Sequence, residues 1–318
     1  MCFIIHLNEN YHMIKYIFIL SLLSLSFSAK SVGDFYTHTL TSDDKKDITY
    51  YLFQRNNGKS KNLLVLIQGS DCKSAIRNKN MIKKFGQVIP ESDLLLVEKY
   101  GLNANTSNQD DVAIEYDNCP KIYMLNDSPK KRVSDYITAI SLLKKNYKKV
   151  ILIGGSEGAI IANLVTANSD VSDVTISMNA GGRYFSDDVI YSTIKNYKGT
   201  KVDDEVRNVN KMFALIKEDK LPDDSIIDTH GIRWWKESLS IDNQSVISSI
   251  QSPILIIQNM NDINVNVDSF DKMRHKINKP NITFMTYEGL DHFFNNREKE
   301  DKSSVVIEDI KKWFKQLH

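Results

Sequence analysis

Three side chains, Ser156, Asp262 and His292, stand in the order that nucleophilic acyl transfer can use. A serine hydroxyl is a weak nucleophile at its free pKa. It needs a base to take its proton and a third group to orient that base. Ser156 sits at the centre of the pentapeptide Gly154-Gly155-Ser156-Glu157-Gly158. An apolar run precedes it at 150–153 and a helix-favouring apolar segment follows from Ala159, a pattern of buried strand, sharp turn and helix. A turn of that kind is strained and admits only small residues around its tip, which accounts for the flanking glycines. Asp262 lies in the loop Asn259-Met260-Asn261-Asp262 and His292 in Gly289-Leu290-Asp291-His292, each just beyond a strand-like run. The separations are 106 and 30 residues. Asp291 competes with Asp262 for the orienting role. Being adjacent to His292, it would need an awkward turn to reach the ring, so Asp262 is favoured.

The elements that must position these residues are legible as alternating strands and helices. Segments 35–40 and 48–54 read as two strands joined at Ser42-Asp43-Asp44. Segments 62–67, 93–98, 149–153, 174–178, 253–258 and 281–287 read as further strands. Several of them are the unbroken apolar runs expected of strands buried on both faces. Helices are expected over 74–85, over 128–146 with Pro129 in the first turn, after Ser156, and over 305–317. Residues 99–121 read as a long polar loop holding Asp110, Asp111, Glu115 and Asp117. From about 183 to 249 the alternation stops. This insert is polar, reads as helical, and carries Trp234-Trp235, with His230 and Arg233 given no role. Alternating strands and helices imply a mostly parallel sheet covered on both faces, with the front pair as an antiparallel edge.

Composition narrows the classes. The 318 residues are 42% hydrophobic and 25% charged, an ordinary globular balance with room for a large core. A net charge of +1 gives no broad electrostatic case for nucleic acid. Residues 1–28 read as a signal peptide. Lys15 follows Met13, the apolar run 16–25 comes next, and small residues stand near Ala29. The run is short of the ~20 residues a membrane span needs, although an uncleaved anchor is the competing reading, and Met13 is a candidate start. A secreted or periplasmic product without a stable membrane anchor is expected. Cys72 and Cys119 would then remain, and in an oxidising compartment they invite a disulfide, with two free buried thiols as the equal alternative.

The Gly154–Gly158 pentapeptide, the N-x-x-D loop and Gly289-x-Asp-His292 resemble the three motif positions of α/β-hydrolase-fold serine hydrolases. The resemblance covers about residues 35–318, with 183–249 as a helical cap insert. Glutamate after the serine resembles acyl-CoA thioesterase members, and the general layout resembles dienelactone hydrolase and prolyl-oligopeptidase-like members. The resemblance implies an α/β fold with a mostly parallel central sheet flanked by helices. It implies Ser156 as nucleophile, His292 as base and Asp262 as orienting acid, with no metal or organic cofactor. It also implies an oxyanion hole built from the backbone N–H of Glu157 and one from Gln68-Gly69-Ser70, Gly69 and Ser70 being the candidates. Gln68 stands where many members have histidine. Gln68, Trp234 and Trp235 are candidate substrate contacts, although the tryptophans equally suit packing of the insert. The expected activity is cleavage of a carboxylic ester in a small molecule or short peptide. Peptide, amide and thioester substrates, acyl transfer to another acceptor, and a non-catalytic binding protein are the alternatives. The acidic loop 110–117 is either solvated or a site for a substrate amine. Oligomeric state is left open.

Overall fold

The structure is a computed structural model. It describes residues 30–32, 35–42, 46–55, 60–106 and 119–317. The expected signal segment, the candidate start at Met13 and the acidic loop residues Asp110 to Asp117 lie outside the described residues. In chain order the elements are β1 (Lys30–Val32), β2 (Phe35–Thr41), β3 (Asp47–Phe53), β4 (Asn62–Ile67), α1 (Lys79–Lys84), β5 (Asp93–Val97), α2 (Lys121–Asn126), α3 (Pro129–Lys144), β6 (Lys149–Gly155), α4 (Glu157–Asn168) and β7 (Val174–Met178). There follow α5 (Phe185–Asn196), α6 (Lys201–Lys217), β8 (Ile226–Ile227), β9 (His230–Gly231), α7 (Ile232–Ser240), α8 (Asn243–Ser249), β10 (Ile254–Asn259), α9 (Val267–Lys276), β11 (Ile282–Tyr287) and α10 (Ser303–Lys315).

Nine strands form one sheet in the order β1-β2-β3-β5-β4-β6-β7-β10-β11. The pairs from β1 through β3 to β5 are antiparallel, and every pair from β5 onward is parallel. The parallel strands alternate their side chains between two apolar layers, as the two-residue period of a strand requires. Leu64, Leu66, Ile151, Ile153, Ile176 and Leu255 face the layer closed by Val306, Ile310 and Trp313 of α10. Leu63, Val65, Leu95, Val150 and Leu152 face the layer closed by Tyr136 and Ile140 of α3 and Ile161 and Val165 of α4. Burial on both faces is why these strands read as continuous apolar runs.

The expected helix over 74–85 is broken. A 3-10 turn at Ala75–Arg77 gives way to α1, and a second 3-10 turn follows at Phe85–Gln87. The break has two causes in the side chains. The buried Glu98 carboxylate accepts from Ser74 Oγ and, at 2.9 Å, from the Ala75 N–H. Asn78 then starts a fresh helix by accepting from the Met81 N–H at 3.0 Å. The expected loop 99–121 ends at α2, a short helix against which the β9 turn packs closely. A Cβ on Gly231 would lie 2.4 Å from the Met124 carbonyl oxygen. The insert forms its own apolar cluster from Phe213, Ile216, Ile232, Trp234, Trp235 and Leu239. Its last helix, α8, instead packs on the main body. Asn163 Nδ2 on α4 donates to Asn243 Oδ1 at 3.0 Å, and Ile247 joins Ile254 and Ile256 of β10. Cys72 and Cys119 are joined by a disulfide, with Cα atoms 5.7 Å apart.

Candidate active site

Ser156, Asp262, His292 and the Gln68–Ser70 loop all lie at the carboxyl edge of the parallel strands, where an open α/β sheet forms its crevice, and Trp234 and Trp235 reach it from α7 of the insert. Gly155 ends β6, and Ser156 takes φ +57 and ψ −129 before α4 begins. That left-handed backbone is costly for a residue with a Cβ. It is held by the Ser156 N–H, which donates to the Met178 carbonyl of β7 at 2.9 Å. The glycines on either side are required by close approach. A Cβ on Gly154 would lie 2.2 Å from the Gly158 carbonyl oxygen, and one on Gly158 would lie 2.2 Å from the Ile67 carbonyl oxygen. The elbow therefore turns with β4, β6 and α4 in backbone contact.

Asp262 and His292 meet. His292 Nδ1 lies 2.6 Å from Asp262 Oδ2. Asp262 is buried, and its other oxygen accepts the N–H groups of Asn264 at 2.7 Å and Val265 at 3.3 Å. Gln258 Nε2 donates to Oδ2 at 3.3 Å. Asp291 does not compete. Its Oδ1 accepts the N–H groups of Phe293 at 3.0 Å and Asn295 at 2.9 Å, which closes the loop on itself. Ser156 and His292 line one cavity. With Nδ1 bonded to the carboxylate, His292 offers Nε2 to that cavity.

Two asparagines that carry no motif fix the histidine loop. Asn259, at the end of β10, donates from Nδ2 to the Asp291 carbonyl at 2.7 Å. Asn179, just past β7 and itself at φ +53, donates from Nδ2 to the His292 carbonyl at 3.0 Å. Asn179 Oδ1 in turn accepts the Asn259 N–H at 2.9 Å. His292 is thus tied by its backbone to β7, the strand next to the elbow, and to β10 beyond it. The only sequence signal for this pair is an amide at a strand's carboxyl end, which is common and carries little by itself.

Ser156 sits between two chambers. The first, about 150 Å³, lies under the insert and is lined by Ser70, Ile160, Phe185, Trp234, Trp235 and Asp188 among others. The second, about 420 Å³, holds His292, Phe293, Gly69, Asn78 and Asn295. Trp234 and Trp235 thus both line a chamber and pack the insert. Trp235 Nε1 donates to the Ile227 carbonyl at 3.0 Å, Trp234 Nε1 donates to Glu157 Oε1 at 2.8 Å, and Phe185 lies against both rings. Gln68 points elsewhere. It is buried, and its Nε2 donates to Asp71 and, at 2.8 Å, to the Lys73 carbonyl, so it braces the loop instead of facing a chamber. Gly69 and Ser70 flank the elbow. A Cβ on Gly69 would be 3.7 Å from the Ser156 Cβ. Phe293 is 69% exposed at the mouth, beside the His292 ring.

Asp188 is a carboxyl group that the sequence did not flag. It is buried in the wall of the first chamber, and its Oδ1 accepts the Asn266 N–H at 2.7 Å. Burial pushes its pKa up to about 8, the Asn266 bond opposing the rise and Asp187 and Asp262 adding to it. The folded pKa lies above the unfolded value of ~3.9, so the group's contribution to stability is complete below pH ~4 and is lost as pH rises to about 8. Asp188→Asn keeps the acceptor and cannot ionise. It is expected to match the parent near pH 4 and to exceed it at pH 8 by on the order of 4 kcal/mol. Thermal unfolding of both proteins from pH 4 to 9 checks this, and parallel pH profiles would refute it.

Among the described residues, no group of three or more His, Cys, Asp or Glu side chains could hold a metal ion, and no helix is long and apolar enough to cross a membrane.

The model of the dienelactone hydrolase family matches residues 222–318, the segment that carries Asp262 and His292. No curated protein sequence matches the chain. Among solved structures, Est1E from Butyrivibrio proteoclasticus is similar at a TM-score of 0.56 and 14% identity, covering 88% of this chain and 98% of its own. The Pyrococcus furiosus esterase Pf2001 gives a TM-score of 0.56 and 14% identity, covering 92% and 91%. The Pyrococcus horikoshii acylaminoacyl peptidase gives 0.52 and 13%, covering 89% of this chain and 41% of its own. At these identities the likeness is one of fold, and the fold is that of the α/β-hydrolases.

Proposed function

We propose that this α/β-hydrolase-fold chain is a serine esterase that works through an acyl-serine intermediate. The observation that carries the reading is the 2.6 Å contact between His292 Nδ1 and Asp262 Oδ2, with Ser156 on a strained elbow facing the same cavity as His292. Ser156 Oγ attacks the carbonyl carbon while His292 Nε2 takes its proton. Asp262 holds the ring in the tautomer with Nδ1 protonated and stabilises the imidazolium that forms. The N–H of Glu157 and one from Gly69 or Ser70 receive the developing oxyanion. His292 then protonates the leaving alcohol, and water releases the acyl group by the same steps in reverse.

The two chambers divide the substrate. The leaving group must lie on the side of the base that protonates it, so it occupies the larger chamber, which His292 lines. The acyl part then enters the chamber beneath Trp234 and Trp235. A cavity of about 150 Å³ with aromatic walls suits a short-chain or single-ring acyl group, since an apolar cavity of that size holds roughly one benzene ring. Est1E, one of the similar structures, has been solved with ferulic acid bound, an aromatic carboxylic acid of this kind. The Cys72–Cys119 disulfide supports an oxidising compartment and therefore a secreted or periplasmic product.

A fluorophosphonate probe is expected to label the protein once, on the peptide containing Ser156, and to block its turnover of p-nitrophenyl acetate and benzoate. Long-chain esters should be poor substrates. A folded protein that resists the probe would point to a binding protein on this scaffold. Preferred turnover of aminoacyl-naphthylamides would make it a peptidase.

A further inference from the structure

The Glu157 side chain has no part in the acyl-transfer steps, yet it is the centre of a buried ionic cluster. Arg132 Nη1 stands 3.0 Å from Glu157 Oε1, and Arg132 Nη2 donates to the Gln68 carbonyl at 2.6 Å. Lys99 Nζ stands 3.8 Å from Glu157 Oε2 and donates to the Asp71 carbonyl at 2.7 Å. The two cations are 2% and 1% exposed, and the carboxylate 10%. Buried charges of this kind are costly unless paired and hydrogen-bonded. Here each cation has one hand on Glu157 and the other on a carbonyl that brackets Gly69 and Ser70.

That arrangement has a geometric consequence. The two halves of the oxyanion hole come from different parts of the chain, the Glu157 N–H at the start of α4 and the Gly69–Ser70 loop after β4. The close packing of Gly158 on the Ile67 and Gln68 carbonyls sets how near they can come, and Arg132 and Lys99, reaching from Glu157 to the Gln68 and Asp71 carbonyls, hold the loop at that limit. From this bracket, and resting on the serine-hydrolase reading above, we propose that the Glu157 carboxylate is a positioning residue. Acting through Arg132 and Lys99, it fixes the spacing of the two oxyanion donors and couples that spacing to the insert through Trp234.

The surroundings fit this role. Trp234 Nε1 donates to the same Glu157 oxygen that faces Arg132, and the His230 ring stacks on Trp234 with centroids 3.8 Å apart. The insert's aromatic wall therefore bears on the carboxylate that holds the hole. The disulfide at Cys72 pins the far end of the same loop. Asp127, buried nearby, supplies a second acidic group to the two cations. Burial tends to raise the Glu157 carboxyl, but Arg132, then Lys99, outweigh it and hold its pKa to about 2, so the carboxylate stays ionised across the working range of a hydrolase, while burial lowers the Lys99 ammonium against the opposing pull of Glu157.

Removing one oxyanion donor outright typically costs ~10²–10³ in rate, and loosening the hole should cost part of that. Glu157→Gln is expected to lower kcat on p-nitrophenyl acetate by about 10–100-fold with KM changed less than about threefold. The affinity for a trifluoromethyl ketone, which forms a tetrahedral adduct, should fall by the same factor. The pH profile should keep its shape, because His292 and Asp262 are untouched. A merely structural role would move the melting temperature and leave kcat and adduct affinity in place. The charge-balanced pair Lys99→Met with Glu157→Gln guards against a single variant that does not fold, and the same loss of kcat is expected in it. A folded variant of either kind with kcat within twofold of the parent overturns the proposal. A parent protein that neither labels with fluorophosphonate nor turns over the ester removes the serine-hydrolase reading and this inference together.

Discussion

Asp262→Asn is expected to lower kcat by about 10⁴-fold in a protein that still folds. The expectation follows from how the carboxylate is shared. Oδ1 accepts two backbone N–H groups, from Asn264 and Val265, which an asparagine oxygen can also accept. The variant therefore keeps the loop and turns its NH₂ toward the position now held by Oδ2. There it meets two groups that need an acceptor, the Gln258 amide at 3.3 Å and His292 Nδ1 at 2.6 Å. The imidazole relieves the clash by moving its proton to Nε2, the atom that must be free to take the Ser156 proton. The base is lost while the fold survives. Steady-state kinetics on p-nitrophenyl acetate, alongside a melting curve, measure the two effects separately. A loss under about tenfold would mean that Asp262 is not the orienting acid. Adding Ser156→Ala to the same protein should cost about a further hundredfold, bringing the total to about that of Ser156→Ala alone, because the residues act as a unit.

The parts of this site that the sequence made legible are those with a local signature. Apolar runs mark β4, β6 and β10 because strands covered on both faces are built mainly from apolar residues, whereas β7 buries Thr175 and Ser177 between its apolar positions. The elbow, the Asp262 loop and the His292 loop each follow such a run, so their order along the chain could be read before any geometry. Two cysteines were enough to suggest the disulfide. What the sequence hid depends on topology. Lys99 opens what reads as a polar loop, and Arg132 belongs to Lys130-Lys131-Arg132, a run that suits a solvated helix face. Only the packing of β5 and α3 beside β4 and the elbow buries these cations against Glu157. Asn179 and Asn259 are likewise unremarkable until neighbouring strands bring their amides to the His292 loop. Residues 74–85 read as one helix because part of the interruption comes from Glu98, a partner more than twenty residues away, in addition to the local Asn78 cap. Gln68 reads as a substrate contact from its position in the loop, but its side chain turns back to Asp71 and Lys73, partners three and five residues on, a side-chain choice between equally local options.

Gly158→Ala should be the most damaging conservative change to the fold around the site. A methyl group there would lie 2.2 Å from the Ile67 carbonyl oxygen and 2.7 Å from that of Gln68. Both are backbone atoms at the end of β4, so no side chain can swing aside. Relief requires the first turn of α4 to lift off the sheet, against the packing of Ile161, Ala162 and Val165 on the layer below. Overpacking of this kind costs ~3 kcal/mol or more, equivalent to a melting temperature lower by roughly 5–10 °C. Gly289→Ala is the control, because a Cβ there meets nothing within 4 Å. It is expected to stay within about 0.5 kcal/mol of the parent. Calorimetry of the three proteins gives the comparison, and a melting temperature for Gly158→Ala within about 2 °C of the control would show that the close approach is not real. The same displacement reaches the chemistry. The first turn of α4 carries the Glu157 N–H, while the carbonyls it would be pushed from belong to the strand end that leads into Gly69 and Ser70. The folded fraction of Gly158→Ala should therefore lose catalytic rate as well as stability, by at least about tenfold, because the two oxyanion donors separate as the helix lifts.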